Sequence, residues 1–293
     1  MESRRGRLAR LALACNADHK GLLEWLGHHP FLSAGDLEAL IGLPQRVIDR
    51  LLANLCDWEL VDSLLRPTNG EETPPARYFI TTTSLALFAA RDGVPVRRYG
   101  RYGVLAAGAG GEGEKDERLR GLLRHFDHTV GANNFMVQLA REIRQPAIRP
   151  SNRLTFWLSA AGAQEWFRWQ DRFWHIWPDG RALLSAEGTT FDVLLEWDRG
   201  LMRKRDHLSK FMNYAAWVRH SALPMRTVTR LLIVTTSPTS EGLMIEAARE
   251  AATIAPQLLE LTYFTTAGRL VQHGVLGPCW LPGGNGSDRT RWC

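Results

Sequence analysis

Phe191-Asp192-Val193-Leu194-Leu195-Glu196-Trp197-Asp198-Arg199-Gly200 is the stretch on which the reading of this chain turns. Val193, Leu194 and Leu195 form the unbroken apolar run of a buried strand, and strand alternation then sets Glu196 and Asp198 on one face. Just upstream, Pro178-Asp179-Gly180 is a turn signature, and a turn accounts for Asp179 by itself. A turn aspartate followed on the next strand by acid-x-acid also gathers three carboxylates. Hard oxygen donors of that kind suit Mg²⁺, which keeps waters able to attack phosphate.

The surroundings read as alternating elements. Downstream, 203–218 is helical, with Leu208, Phe211, Met212, Ala215 and Trp217 apolar and Arg203, Lys204, Arg205, Lys210 and the following Arg219 basic. Residues 228–235 form a buried strand, 241–254 a helix and 259–265 another strand. Upstream, 118–144 is a long amphipathic helix with Leu119, Leu122, Phe126, Val130, Phe135, Leu139 and Ile143 at helical spacing. Between them lie Trp157, Trp166, Trp169, Trp174, Trp177 and Trp197, with Trp217 beyond. Such clusters are core more often than base-stacking platforms, and alternation with Phe167 and Phe173 predicts paired strands. Helix, strands, helix, strand, helix, strand is the order of an α/β sandwich.

The first hundred residues follow a different plan. Leu22, Leu23, Trp25 and Leu26 mark a helix over 19–28. Ser33 caps a second, with Asp36 as its capping-box partner. Gly42-Leu43-Pro44 turns into a third, which runs to Leu55, buries Val47, Ile48, Leu51 and Leu52 and shows Gln45, Arg46, Asp49, Arg50 and Asn54 outward. Two short strands follow, 58–65 and 76–81, joined by a polar loop. Three helices and a hairpin in this order make a winged helix-turn-helix. Its third helix would bring Gln45, Arg46 and Arg50 to base edges, while Arg66 and Arg77 near the wing would meet phosphates. The exposed Asp49 favours the other use of such modules, protein contact or dimerisation. Arg97, Arg98 and Arg101, interleaved with Tyr99 and Tyr102, extend the basic surface or are simply a solvated charge run.

Composition agrees with two modules of ordinary globular type. The chain has 293 residues, 45% hydrophobic and 23% charged, so wholesale disorder is excluded. Residues 103–117, small and then charged, read as a linker, and 283–293 as a flexible tail. The excess of Lys and Arg over Asp and Glu is +5, compatible with a polyanionic partner. Cys15, Cys56, Cys279 and Cys293 are scattered singly, without a zinc or disulfide spacing. The apolar N-terminal run is broken by Arg10 and soon turns polar, unlike a secretory signal. A cytoplasmic protein is expected, with double-stranded DNA as partner, no membrane, and a homodimer as the allowed assembly.

The acids resemble the Pro-Asp…(Asp/Glu)-x-Lys signature of restriction-endonuclease-like nucleases, with Asp198 where the lysine would stand. Some members of that superfamily carry an acid there, and in others the lysine moves to the next helix, where Lys210 is available. Over roughly residues 20–282 the chain also resembles the replication-relaxation family of bacterial plasmids and integrated elements. The resemblance rests on Arg77-Tyr78-Phe79-Ile80-Thr81, His128-Thr129-Val130-Gly131-Ala132-Asn133-Asn134-Phe135, Pro178-Asp179-Gly180, Leu195-Glu196-Trp197-Asp198-Arg199-Gly200, Lys210-Phe211-Met212-Asn213-Tyr214, Leu231-Leu232-Ile233-Val234-Thr235 and Gly277-Pro278-Cys279-Trp280. Their order carries it.

The fold implied is α+β, a winged helix-turn-helix (1–102) followed by a restriction-endonuclease-like α/β sandwich domain (118–282). The implied activity is on the DNA of a mobile element, in its replication or relaxation. As a nuclease, Asp179 and Glu196 would hold Mg²⁺, Asp198 would be a third ligand or orient a water, and Lys210 would steady the pentavalent phosphate. His128 would carry protons, or else be an ordinary hydrogen-bonded helix residue. The alternative is a non-enzymatic initiator or transcriptional regulator whose nuclease-like domain is a scaffold.

Overall fold

The structure, a computed structural model, describes residues 3–66, 74–96, 120–121, 123–145, 152–221, 227–284, 286 and 288–293. The linker at 103–117 and the basic stretch at 97–102 lie outside them. The chain forms two compact units, 1–133 and 134–293.

In the first unit, α1 (Arg4–Ala14) and α2 (Ala17–His28) precede α3 (Ala34–Ile41), α4 (Gln45–Asp57), the hairpin β1 (Val61–Leu65) and β2 (Ala76–Ile80), and α5 (Thr82–Arg91). Each boundary has a local cause. Asn16 caps α2 through its side chain, Ser33 and Asp36 make the full capping box of α3, and Thr81 caps α5. Gly42 ends α3 at φ 80°, the left-handed conformation a side chain would resist. The helix α4 buries Ile48, Leu51, Leu52 and Leu55, and the unit closes over Leu22, Leu26, Leu37, Leu60 and Phe79. Each such leucine, fully buried, contributes about 1.5–3 kcal/mol. An isolated bridge between Leu32 and Tyr78 lays the chain before α3 alongside β2.

Arg77 corrects an expectation. It is 3% exposed and its Nη1 donates to Asp36 Oδ2 at 3.0 Å and faces the Phe31 carbonyl. Alternation explains it, since Arg77 shares the inward face of β2 with Phe79. Its charge ties the capping acid of α3 to the hairpin rather than standing on the surface.

The division between units falls within α6 (Phe126–Ile143). Its first residues belong to the first unit, where Phe126 packs edge-on against Phe31. The second unit is built on a six-stranded mixed sheet, β10-β9-β8-β7-β6-β3. The antiparallel part comprises β3 (Arg153–Ser159), β6 (Gly180–Ala186) and β7 (Thr189–Asp198). The strands β7, β8 (Val228–Thr235) and β9 (Thr262–Thr266) run parallel, and β10 (Leu281–Pro282) closes the edge. Parallel neighbours need crossovers, supplied by α8 (Lys204–His220) and α9 (Pro238–Ala251). The short α7 (Ala160–Ala163), α10 (Gln257–Leu261) and α11 (Ala267–His273) lie in the same unit.

One face of this sheet is covered by α8 and α9, whose Phe211, Tyr214, Trp217, Met244 and Ala248 join Leu194, Leu231, Ile233 and Phe264 in one core. A separate hairpin, β4 (Glu165–Trp169) with β5 (Arg172–Ile176), packs Phe167 and Ile176 into the same core. Arg181 locks it there: it holds Asp192 with two hydrogen bonds of 2.9 and 2.6 Å and Glu165 with one of 2.7 Å, while the Trp217 indole donates to Glu165. A paired, planar fork of this kind fixes orientation as well as charge.

The end of the chain departs from the expected flexible tail. Arg289 reaches Glu241 at 2.7 Å, Thr290 exchanges backbone bonds with Trp280, and the buried Trp292 donates its indole N–H to the Val275 carbonyl. Burial of Trp292 and these polar contacts hold the segment after the Gly-rich run.

Candidate functional site

On β7, alternation sets Asp192, Leu194, Glu196 and Asp198 on the face toward α8. All are buried. Backbone pairing makes Asp179 their neighbour, because the turn before β6 donates its Asp179 N–H to the Leu195 carbonyl at 2.8 Å. The Trp197 N–H in turn donates to Asp179 Oδ2 at 2.8 Å, so the turn aspartate is clamped to the end of β7.

The chain then leaves β7 through Gly200, at φ 70°, whose N–H donates to Asp198 Oδ2 at 3.1 Å. A Cβ there would also stand 2.7 Å from the Ser240 hydroxyl. After this turn α8 runs back over the sheet. Lys210 and Tyr214, one helical turn apart, share the face that looks at β7. The Lys210 ammonium pairs with Glu196 Oε2, and the Tyr214 hydroxyl donates to Glu196 Oε1 at 2.5 Å. Both oxygens of a carboxylate only 1% exposed are therefore engaged.

The electrostatics follow from this enclosure. Burial pushes the Glu196 carboxyl up to about 7; Lys210 pulls against the rise and Asp179 adds to it. Burial disfavours the Lys210 ammonium, but the charges of Glu196, Asp179 and Asp198 outweigh that and hold its pKa above the ordinary value. Burial, then Glu196, lifts the Tyr214 phenol well above its usual range, so it stays a donor.

Of the residues singled out from sequence, Asp179, Glu196 and Lys210 stand in mutual electrostatic reach at the end of β7, with Asp198 acting on Lys210 beside them. Among the described residues no three His, Cys, Asp or Glu side chains are grouped as a metal site. His128 lies half-buried on α6, in the first unit. Tyr214 carried no role in the sequence reading; its signal is the four-residue spacing from Lys210.

In the first unit, Arg46, Asp49 and Arg50 are exposed on α4. Gln45 is half-buried and donates its side-chain amide to Asp49 at 2.9 Å. Arg66 lies over the Phe126 ring, 4.9 Å from its centroid, and faces the Leu123 carbonyl.

The family model for replication-relaxation matches residues 23–232, which takes in β7, the Gly200 turn and α8. The chain belongs to the replication-relaxation family. No curated protein and no solved structure matches it. Membership points to a role in the replication or relaxation of plasmids and mobile elements. No helix among the described residues is long and apolar enough to cross a membrane.

Proposed function

We propose that this replication-relaxation protein binds double-stranded DNA through its first unit and cleaves a strand, with Mg²⁺, at Asp179, Glu196 and Lys210 of its second. The observation that carries this is the meeting of Lys210 with Glu196 across the gap between helix and strand, beside Asp179. Two acids and an ammonium at one point match what phosphodiester hydrolysis requires.

The donor set fits the ion in kind. Mg²⁺ is commonly held by one or two carboxylates, the rest of its shell being water and substrate phosphate. Asp179 and Glu196 would supply those oxygens; the three acids are not grouped as a metal site among the described residues, so Asp198 is left to orient a water. When bound, the ion supplies an activated water and a Lewis acid for the phosphate. The residues themselves orient. Trp197 N–H fixes the Asp179 carboxylate and Tyr214 fixes the plane of Glu196. Lys210, kept protonated by the surrounding acids, stands ready to balance charge developing on phosphate.

For the first unit, the order of α2, α3, α4 and the β1–β2 hairpin, with the Leu32 bridge, supports the winged-helix reading. It leaves Arg46 and Arg50 as the residues of α4 that face a major groove.

A second reading has one specific observation in its favour. Both Glu196 oxygens are already satisfied by Lys210 and Tyr214, as they would be in a scaffold that binds DNA without cutting it. Supercoiled plasmid separates the two. The nuclease nicks it only with Mg²⁺ or Mn²⁺, and Glu196→Gln and Lys210→Met abolish nicking while duplex binding persists. Asp198→Lys, which restores the commoner pattern, abolishes cleavage if Asp198 is a ligand and raises it if not. A wild-type protein that binds plasmid but neither nicks it nor takes up Mn²⁺ leaves the scaffold reading. Separately, Arg46→Ala with Arg50→Ala should weaken duplex binding by about 1–3 kcal/mol for each base that the arginines read; unchanged mobility shifts would remove the winged-helix assignment.

A further inference from the structure

The hairpin β4–β5 has two unlike faces. Phe167, Trp169, Trp174 and Ile176 turn toward the core, as expected of the tryptophan-rich segment. The opposite face does not follow that expectation. Trp166, Phe173 and Trp177 are 57%, 76% and 52% exposed. Pairing sets Trp166 opposite His175 and Arg168 opposite Phe173, so these side chains and Trp177 form one surface. Ring centroids of His175 lie 4.8 Å from Trp166 and 6.2 Å from Trp177.

Large aromatic rings held in water are costly unless something covers them. Here they sit on a hairpin tied from behind to β7 by the Arg181 fork. Arg168, exposed among them, supplies positive charge. Asp171 offsets part of it through a surface pair with Arg168, which is worth little. The row also leads directly to the candidate site, because Trp177 is followed by Pro178 and Asp179.

We propose that this face binds single-stranded DNA, the rings stacking on unpaired bases and Arg168 meeting a phosphate. Paired bases are closed to such rings, whereas unpaired ones expose a flat face that any aromatic can cover, whatever the sequence. The surface would thereby hold an opened strand next to Asp179. The proposal rests on the reading that the second unit acts on DNA, but it does not require that the unit cuts.

The test uses the full-length chain in EDTA, so that cleavage does not enter, and follows the anisotropy of fluorescein-labelled (dT)15. Wild type should bind, and Trp166→Ala, Phe173→Ala and Trp177→Ala should each weaken binding roughly tenfold. Affinity for a labelled duplex should stay unchanged. These side chains face solvent, so their removal leaves the core intact. Trp166→Phe should restore most of the affinity, because it keeps a stacking face, and Trp166→Leu should not. Failure of the cleavage reading would show in plasmid nicking by the wild-type protein with Mg²⁺ and leave this EDTA result untouched. No saturable binding of (dT)15 by wild type overturns the proposal, as does a triple alanine variant that binds equally well. Leucine performing as well as phenylalanine also overturns it. So does a triple variant that loses self-association in light scattering while its DNA binding is unaltered, which would mark the face as a protein contact.

Discussion

Replacing Glu196 by Gln isolates one buried charge. The folded-state pKa of Glu196 is raised to about 7 from an ordinary 4.5, chiefly by burial. A raised acid pKa means that the folded protein holds the proton more tightly than the unfolded chain. Its contribution to stability is thus fully present below about pH 4.5 and is lost as pH rises through 7. Integrating between pH 5 and pH 8 gives a loss of about 2–3 kcal/mol from this group alone. A glutamine in its place keeps the shape and accepts the Tyr214 hydrogen bond but does not titrate. Other groups titrate in both proteins, so the informative quantity is the difference between them. Glu196→Gln should gain on wild type by about that amount from pH 5 to pH 8, read from urea unfolding followed by tryptophan fluorescence. The carboxyl ¹³C shift of Glu196 should show a midpoint near 7. A difference flat with pH, or one that moves toward wild type as pH rises, would refute the reasoning. Lys210 would then be holding Glu196 ionised across the whole range.

Two further outcomes follow from other contacts. Arg77→Met should cost about 3–5 kcal/mol by leaving Asp36 buried without its partner charge, seen as a lower melting temperature; a loss of DNA affinity at unchanged stability would return Arg77 to the wing surface. Gly200→Ala should destabilise by about 1–3 kcal/mol, from the left-handed φ and the approach to Ser240. Adding Ser240→Ala should recover the steric part in thermal melts, and full recovery would mean the backbone conformation costs nothing.

Local chemistry made much of this legible. The capping box at Ser33 and Asp36, the left-handed Gly42 and the span of β8 are where the sequence placed them, because each is decided by a few neighbouring residues. The pairing of Asp179 with the end of β7 was readable as a turn plus alternation. The reach of Lys210 was readable only as an available lysine on the following helix. What failed to show was which side a residue faces when its partner is far away. Arg77 looks like a surface cation until Asp36, 41 positions earlier, is beside it. Trp166 and Phe173 look like core because composition cannot tell the two faces of a hairpin apart; the partner of Glu165 and Asp192 that decides the matter is Arg181. Residues 289–293 look loose because the glycines before them dominate any local window.

That C-terminal clasp has a bearing on how the protein is made. Arg289 bonds Glu241 and the carbonyls of Phe264 and Cys279, and Trp292 shares the Val275 carbonyl with Trp280. Arg230 on β8 donates to the Trp292 carbonyl. Translation delivers these residues after every element they fasten, while the first unit has long since emerged and can fold. Until they arrive, Glu241 has Arg269 but not Arg289, Arg230 lacks its acceptor at Trp292, and the indole cavity stands open beside a recently laid parallel sheet. Nascent second units therefore pass through an interval in which these contacts are unmade, and a chain that stops short of residue 289 never makes them.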